Sequence, residues 1–410
     1  MESTRQGTST HDASVTSMIG GGTPPATGTS TPAVVPEAQL EESSFTPSTF
    51  APLLKKLVLS PSSFTLSDCH SAFSHLAHGP SAALPSQIGA FLSALRMTGK
   101  DGEPEIVACC AQVMRDHALD IEVEQTGEGL GPVCDIVGTG GDGHNTFNVS
   151  TTAGIVAAGA GARVFKHGNK AATSSSGSAD ILLSLGCPVT TLPPTSIPSL
   201  SRSSSFLFLF APLYHPAMVH LAPIRKQLPF PTIFNALGPL INPVKPKRLI
   251  VGVHSEYLGK VFAEALRLGG VEKAWVVCGK EGLDEISIAG ETHVWEVQGD
   301  SEIRYFTVSP SQFGLSSHPL SSVTGGTPHE NSELLLSLLR GELPTTNPVE
   351  NFVVLNAAAL LLVSGVVGDE KEGVEMARKC LRDGGALRAL EKFRDDSQEA
   401  VRKEEEERKQ

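Results

Sequence analysis

Residues 135–152 read DIVGTGGDGHNTFNVSTT. An apolar strand end runs into Gly138, Gly140, Gly141 and Gly143, with Asp142 among them, and then into Asn-x-Ser-Thr ahead of small apolar residues. Glycine lets the backbone take φ > 0 and puts no Cβ in a ligand's way, so successive N–H groups can converge on one anion. The stretch from Thr151 to Ala162 suits a helix whose N-terminus faces the same point. This is phosphate-binding chemistry. A second such loop follows in KHGNKAATSSSGSAD, Lys166 to Asp180, with two cations, an amide and a run of hydroxyls before Gly177. Ser/Gly runs are commonly flexible linkers, but apolar segments flank this one closely on both sides. Two phosphate loops, each after a short strand, imply a substrate with phosphate at both ends.

Gly138, Gly140 and Gly143 formally satisfy G-x-G-x-x-G. A nicotinamide site also needs a carboxylate about 20 residues on, at the end of the next strand, to hold the ribose hydroxyls. Here the next strand candidate, Ala162 to Phe165, meets Lys166, His167, Gly168, Asn169 and Lys170 instead. A P-loop is excluded because no Gly-Lys-Ser/Thr follows the glycines. Asp142 beside phosphates costs energy unless a cation or a hydroxyl intervenes, so it serves a ribose hydroxyl or orders the loop. Asp284 and Glu285 in GLDEIS (282–287) are adjacent acids past a strand and a Gly-Lys-Glu-Gly turn, as in a surface turn or in a site for a hard cation.

The elements that must position these residues fall into two groups. From Phe50 to about Ile121 apolar residues recur at three- and four-residue spacing, predicting a small helical domain, with Pro85 and Pro104 at helix starts and Gly99 past an end. From Cys134 onward the short segments VCDIVG, ARVFKH, CPVTTL, RLIVGV and KAWVVCG alternate with helical patterns. This predicts an α/β domain with a mostly parallel sheet, its glycine loops along one carboxyl edge. Residues 310–330 read as loop, and 352–367 and 371–393 as terminal helices. The boundaries expected are a disordered Ser/Thr/Pro-rich tail over 1–48, a helical domain over 49–125, an α/β domain over 126–395, and a charged tail over 396–410.

At 410 residues the chain can bury one large core and a smaller one. A net charge of −12 argues against general nucleic-acid binding. The 7 cysteines are scattered without C-x-x-C pairing, which fits reduced thiols in the cytoplasm. No run of about 18 apolar residues is present to span a membrane, and the first residues lack the basic and apolar regions of a signal peptide.

DIVGTGGDG, NVST, KHGN, FLFLFAPLYHPAM (206–218, with one Leu inserted), APIRK (222–226), TIFNALGPLINP (232–243) and GLDEIS come in an order that resembles the anthranilate phosphoribosyltransferases of tryptophan biosynthesis. Pyrimidine nucleoside phosphorylases share the fold and a related glycine loop, but not the APIRK and GLDEIS blocks. The resemblance implies a small α-domain, completed by a helical segment near 196–230, a large α/β domain, and a cleft at the hinge between them. It implies transfer of phosphoribose from 5-phosphoribosyl-1-diphosphate (PRPP) to anthranilate, Mg²⁺ as cofactor, and a homodimer. Carried over residue by residue, it places PRPP at Gly138, Gly141, Asp142, Thr146, Asn148, Ser150, Thr151, Lys166, Asn169, Ser174 and Ser178. Anthranilate falls to Gly138, Asn169 and Arg225, where a planar guanidinium matches the ring carboxylate. Metal falls to Ser150, Asp284 and Glu285. Pro239 would shape the ring pocket. The roles of His167 and His215 stay open between the cleft and the backbone.

Three positions depart from the family pattern. Pro231 stands where many members have arginine, Lys170 is often arginine, and Pro198 interrupts the helix expected before FLFLF. They bear on affinity and local geometry. Two other readings stand beside the transferase: a nucleoside phosphorylase, which has no work for Asp284 and Glu285, and an inactive binding protein whose tail is the working part.

Overall fold

Four helices of similar length open the described chain: α1 (Pro47–Leu59), α2 (Leu66–His78), α3 (Pro85–Met97) and α4 (Pro104–Asp116). The computed structural model describes residues 45–125, 131–171 and 174–409; the expected tail lies outside these as far as residue 44. Its last positions do not belong to a tail. Thr46 caps α1 in a capping box with Thr49, whose backbone N–H donates to Thr46 Oγ1 at 3.2 Å, and Pro47 takes the first helical position. Pro85 and Pro104 begin α3 and α4 as expected, and Gly99 follows α3 at φ +73°.

The α/β part runs β1 (Val133–Gly138), α5 (Val149–Gly159), β2 (Arg163–Gly168), α6 (Ser178–Ser184), α7 (Ile197–Ser203), β3 (Phe206–Phe210), α8 (Ala211–Tyr214), α9 (Ala217–Lys226), α10 (Ile233–Leu237), β4 (Arg248–Gly252), α11 (Glu256–Leu268), β5 (Lys273–Gly279), β6 (Thr292–Gln298) and β7 (Arg304–Val308). Four helices close it: α12 (Pro328–Leu339), α13 (Pro348–Ser364), α14 (Glu370–Arg382) and α15 (Gly385–Glu407). One seven-stranded sheet has the order β3-β2-β1-β4-β5-β6-β7. Its strands are parallel from β3 to β5, and the β5–β6 and β6–β7 pairs are antiparallel.

Several expectations shift. Cys187–Leu192, read as a strand, is a turn with Thr191 N–H on Pro188 O at 3.1 Å; Pro188 has no N–H for a ladder, and Val189 and Leu192 are buried without one. Phe206–Phe210 is a strand buried along its whole length, so it shows no alternation. Strands β6 and β7 were not anticipated. The charged end beyond 396 is helix, not tail, since α15 continues to Glu407. The segment 196–230 divides: Ile197 and Leu200 of α7 join the core under the sheet with β3, whereas Ala217 and Leu221 of α9 join the helical layer. Pro198 occupies the first turn of α7, and Pro231 precedes the Thr232–Asn235 capping box of α10, so both sit where a missing N–H costs nothing.

Two cores sandwich the sheet. One gathers α5, α13, α14 and α15 against β1–β3. The other runs continuously from α1–α4 through α9–α11 to the opposite face of β4–β6. The helical layer therefore shares its apolar interior with the sheet.

Candidate active site

After β1 the chain builds β2 and β3 on one side, then returns to place β4 on the other. The crevice at that reversal, at the carboxyl ends of β1 and β4, is where open α/β sheets bind ligands. Gly138 and Gly252 end the two strands as register partners. A Cβ on Gly138 would stand 2.3 Å from Asp284 Oδ2, and one on Gly252 would stand 1.6 Å from the Asp284 carbonyl. Both glycines make room for Asp284. Beyond them Gly140, Gly141 and Gly143 take φ of +70°, +80° and +77°. Gly140 N–H donates to Asp284 Oδ2 at 2.7 Å, and Asp142 Oδ1 accepts from His144 N–H at 3.1 Å. Asp142 thus orders the loop.

Glu285 lies beside Asp284, both nearly buried. Burial, then repulsion from Asp142, pushes the Asp284 carboxyl up to about 7. Burial and Asp284 push Glu285 up to about 8, against the pull of Lys166 and the Ser150 hydroxyl. Lys166, at the end of β2, is buried and held down by that burial, while Asp135, Glu285 and Asp284 favour its charge. Its Nζ donates to the Ile136 carbonyl and, at 3.3 Å, to Ser150 Oγ. Asp135 anchors the floor beneath, accepting from His167 N–H at 3.2 Å and Asn242 Nδ2 at 2.9 Å. Crowded, desolvated carboxylates with raised pKa values are the groups a cation relieves, and the donors at hand are all oxygens, as magnesium requires. Among the described residues no three His, Cys, Asp or Glu side chains converge as a metal cage; magnesium commonly binds through one or two carboxylates, its waters and a substrate phosphate.

Over this floor three loops are tied together. Asn331, in the first turns of α12, donates from Nδ2 to Asn148 Oδ1 at 2.8 Å and accepts from Gly326 N–H at 2.8 Å. Asn148 passes its own Nδ2 to the Ser176 carbonyl at 2.8 Å. The Ser175 hydroxyl lies 2.8 Å from both Asn145 Oδ1 and Gly326 O, its single proton shared between the two acceptors. The open cleft they border, about 450 Å³, is lined by the glycine loop, Ser174–Ser176, Asp284 and Glu285.

Of the residues singled out in the sequence, Gly141, Asp142, Thr146, Asn148, Ser150, Ser174, Asp284 and Glu285 line this cavity. The others do not. Gly138 lies against Asp284, and Lys166 is beneath Ser150. Thr151 is buried, donating to Ser178 Oγ at 2.9 Å. Asn169 is exposed and its Oδ1 accepts from Lys170 N–H at 2.8 Å. Arg225 sits on α9 with its guanidinium 5.1 Å from the Phe234 ring centre, its Nε buried with no hydrogen-bond partner among the described residues. His167 and His215 meet edge to face at 5.2 Å, both buried. Burial, then His215 and Lys166, drives His167 down to about 3, and burial drives His215 down to about 4. Burial thus favours the neutral form of both rings. Sequence reasoning missed Asn145, Ser175, Asn331, Asp135 and Asn242. Asn145, Asp135 and Ser175 lie within the quoted loop segments, but nothing local marks their partners; Asn331 and Asn242 are distant in sequence.

A glycosyl transferase family α/β domain model matches residues 130–387, and a helical bundle domain model of that family matches residues 51–118. The anthranilate phosphoribosyltransferase of Schizosaccharomyces pombe is 47% identical over 318 residues, 77% of this chain and 89% of that protein. The Saccharomyces cerevisiae enzyme, solved in complex with PRPP and Mg, superposes with a TM-score of 0.80 at 36% identity, covering 87% of this chain and 99% of that one. The same yeast enzyme in complex with 4-fluoroanthranilate gives 0.78 at 34% identity, with the same coverage. With identity of this extent, and a switch-point crevice built around the same motifs, the chain belongs to the anthranilate phosphoribosyltransferase family.

Proposed function

We propose that this chain joins the amine of anthranilate to C1 of PRPP, giving N-(5-phosphoribosyl)anthranilate and pyrophosphate. The C1–O bond to diphosphate breaks, the N–C1 bond forms, and the nitrogen loses its proton to solvent. An aniline nitrogen is unprotonated at neutral pH, so attack needs no base, and the neutral His167 is not one. Acceleration comes from positioning and from fields aimed at the charge that develops.

In this reading the loop N–H groups of 140–143, with Thr146, Asn148 and Ser150, receive the diphosphate end of PRPP. Ser174, Asn169, Thr151 and Ser178 serve the second loop. Asn148 has both ends of its amide engaged by Asn331 and Ser176, so its part is to shape the pocket. Lys166 supplies a buried positive charge under Ser150, balancing the acids around it. Asp284, Glu285 and Ser150 would hold Mg²⁺. Bound magnesium supplies neutralisation of the departing diphosphate. Arg225, with Asn169 and Gly138, would take anthranilate; its buried, unpartnered Nε is a donor held ready for a carboxylate. The observation that carries the assignment is the Asp284–Glu285 pair seated under a glycine loop at the sheet's switch point.

The deciding experiment follows loss of anthranilate fluorescence with PRPP, with Mg²⁺ and then with excess chelator. Consumption abolished by chelator, and sharply reduced in the Asp284→Ala/Glu285→Ala variant, is expected. Turnover by that variant at ordinary Mg²⁺ would remove the metal assignment. Exposed Val58, Leu59, Leu66 and Met97 on α1–α3 support a homodimer through the helical layer, checked by light scattering. All seven cysteines are free, which supports a cytoplasmic setting. No described helix is long and apolar enough to cross a membrane.

A further inference from the structure

At the other end of β4 from the glycine loop, a second cavity of about 140 Å³ lies between α4, α11 and the turn that leads into the strand. Its walls are apolar at Leu240, Leu249, Leu266 and Val271. The ionised side chains lining it are Arg115, Lys245 and Lys247, with no carboxylate among them, in a chain whose net charge is −12. We propose that these three cations form an anion site for a small, multiply charged oxyanion of phosphate size. Lys247 and Gly252 are five residues apart along an extended strand, roughly 16 Å, so this site is separate from the crevice that takes PRPP.

The turn is built to present its lysines. Lys245 is the one non-glycine among the described residues at positive φ, at 50°, a conformation L-residues adopt only where the surroundings hold them. Asn242 holds it: Lys245 N–H donates to Asn242 O at 3.0 Å and Val244 N–H to Asn242 Oδ1 at 3.1 Å. Pro243 and Pro246 fix φ on either side. Neither lysine ammonium makes an ion pair or a hydrogen bond among the described residues. Lys245 and Lys247 also border a wider neighbouring cavity that Asp120, Glu122 and Glu124 line, and among the described residues none of these acids stands at ion-pair distance from either lysine.

Arg115 is the fixed wall. It donates from Nη1 to Leu240 O and from Nη2 to Gln112 Oε1, each at 2.6 Å, and no carboxylate stands at ion-pair distance among the described residues. Burial pushes its pKa down, only partly offset by the more distant charge of Asp116. Beside apolar walls an anion gains more from three cations than it would in open water. Its occupancy would also bear on the active-site floor. Leu240, held by Arg115, lies two residues from Gly238 and from Asn242, which grip His167 and Asp135.

The test uses full-length protein saturated with PRPP and Mg²⁺, so that the crevice is filled. Thermal unfolding is followed as inorganic phosphate or pyrophosphate is added, at ionic strength held constant with chloride. Wild type should rise in Tm with a saturable dependence, and Lys245→Ala/Lys247→Ala should lose that rise while keeping its phosphate-free kcat within about twofold. Saturation at lower pyrophosphate than phosphate would identify the reaction's own product as the occupant; the reverse order would identify free phosphate. No rise in wild type, or equal titrations in the two proteins, overturns the site. Crystals soaked in selenate give an independent reading: an anomalous peak between the three cations is expected, and selenate confined to the glycine loop overturns it.

Discussion

Gly138 appears in the sequence as one glycine of a phosphate loop, yet its necessity comes from a carboxylate distant in the chain. Because a Cβ there would stand 2.3 Å from Asp284 Oδ2, Gly138→Ala must displace the acid or the strand end. A displacement of about 1 Å at a reacting centre costs on the order of 100-fold, so kcat/KM for PRPP should fall by about that factor with the far-UV spectrum unchanged. Steady-state kinetics at saturating Mg²⁺ check it; wild-type activity in the variant would show that Asp284 need not sit there. His167 makes the second residue-scale prediction. Its ring resists protonation down to about 3 when folded, whereas an unfolded histidine accepts a proton near 6.5. Below that pH the unfolded state binds more protons, so stability present above 6.5 is lost as pH falls toward the folded value. The slope is up to about 1.4 kcal/mol per pH unit for each such ring. Urea unfolding at pH 6.5 and 5.5 should show a shallower loss in His167→Gln than in wild type.

At the scale of elements, the glycine loop and the Ser-rich loop owe their shape to α12 as much as to their glycines. Asn331 gives its amide N–H to Asn148 and takes one from Gly326, joining the segment after β1, the segment after β2 and the start of α12. Asn331→Asp keeps the acceptor for Gly326 but loses the donor to Asn148. A buried hydrogen bond broken on one side costs about 1–3 kcal/mol. Part of that cost should appear as a roughly tenfold higher KM for PRPP, with kcat much less affected. A lower kcat at unchanged KM would mean that Asn331 acts on the reaction itself. The lysine turn at 242–247 is a similar device: backbone strain at Lys245 is held by Asn242, whose amide also reaches Asp135.

At the scale of the whole molecule, the helical layer and one face of the sheet form a single apolar interior. Its beginning is set by Thr46 and by Phe45, whose ring lies 4.4 Å from His78 and 4.9 Å from His75. A chain starting at Phe45 should therefore keep full kcat/KM and stability. One starting at residue 49 should keep its chemistry but lose about 1 kcal/mol or more of stability, since the cap on α1 is gone. Denaturant titration of the two truncations decides this; equal midpoints would show that the cap contributes nothing.

Glycine spacing, proline positions and hydrophobic periodicity are local, and they determined the positions of the glycine loop and the Ser-rich loop, the starts of α3 and α4, and the parallel strands of the sheet's centre. Residue types alone left Asp284 and Glu285 open between a surface turn and a cation site; the family resemblance singled them out with Ser150, and the fold sets all three beside one cavity. Phe206–Phe210 escaped because a strand buried on both faces has no alternation to read, and Cys187–Leu192 misled because β-branched residues around a proline satisfy strand composition without a ladder. What only the tertiary structure decided is which groups meet. Asn331 reaches Asn148, Asn242 reaches Asp135, and Gly252 makes way for Asp284 across long stretches of chain. Nothing in local composition encodes those distances, because they arise when the order of parallel strands reverses at β1 and β4 and brings separate loops to one edge.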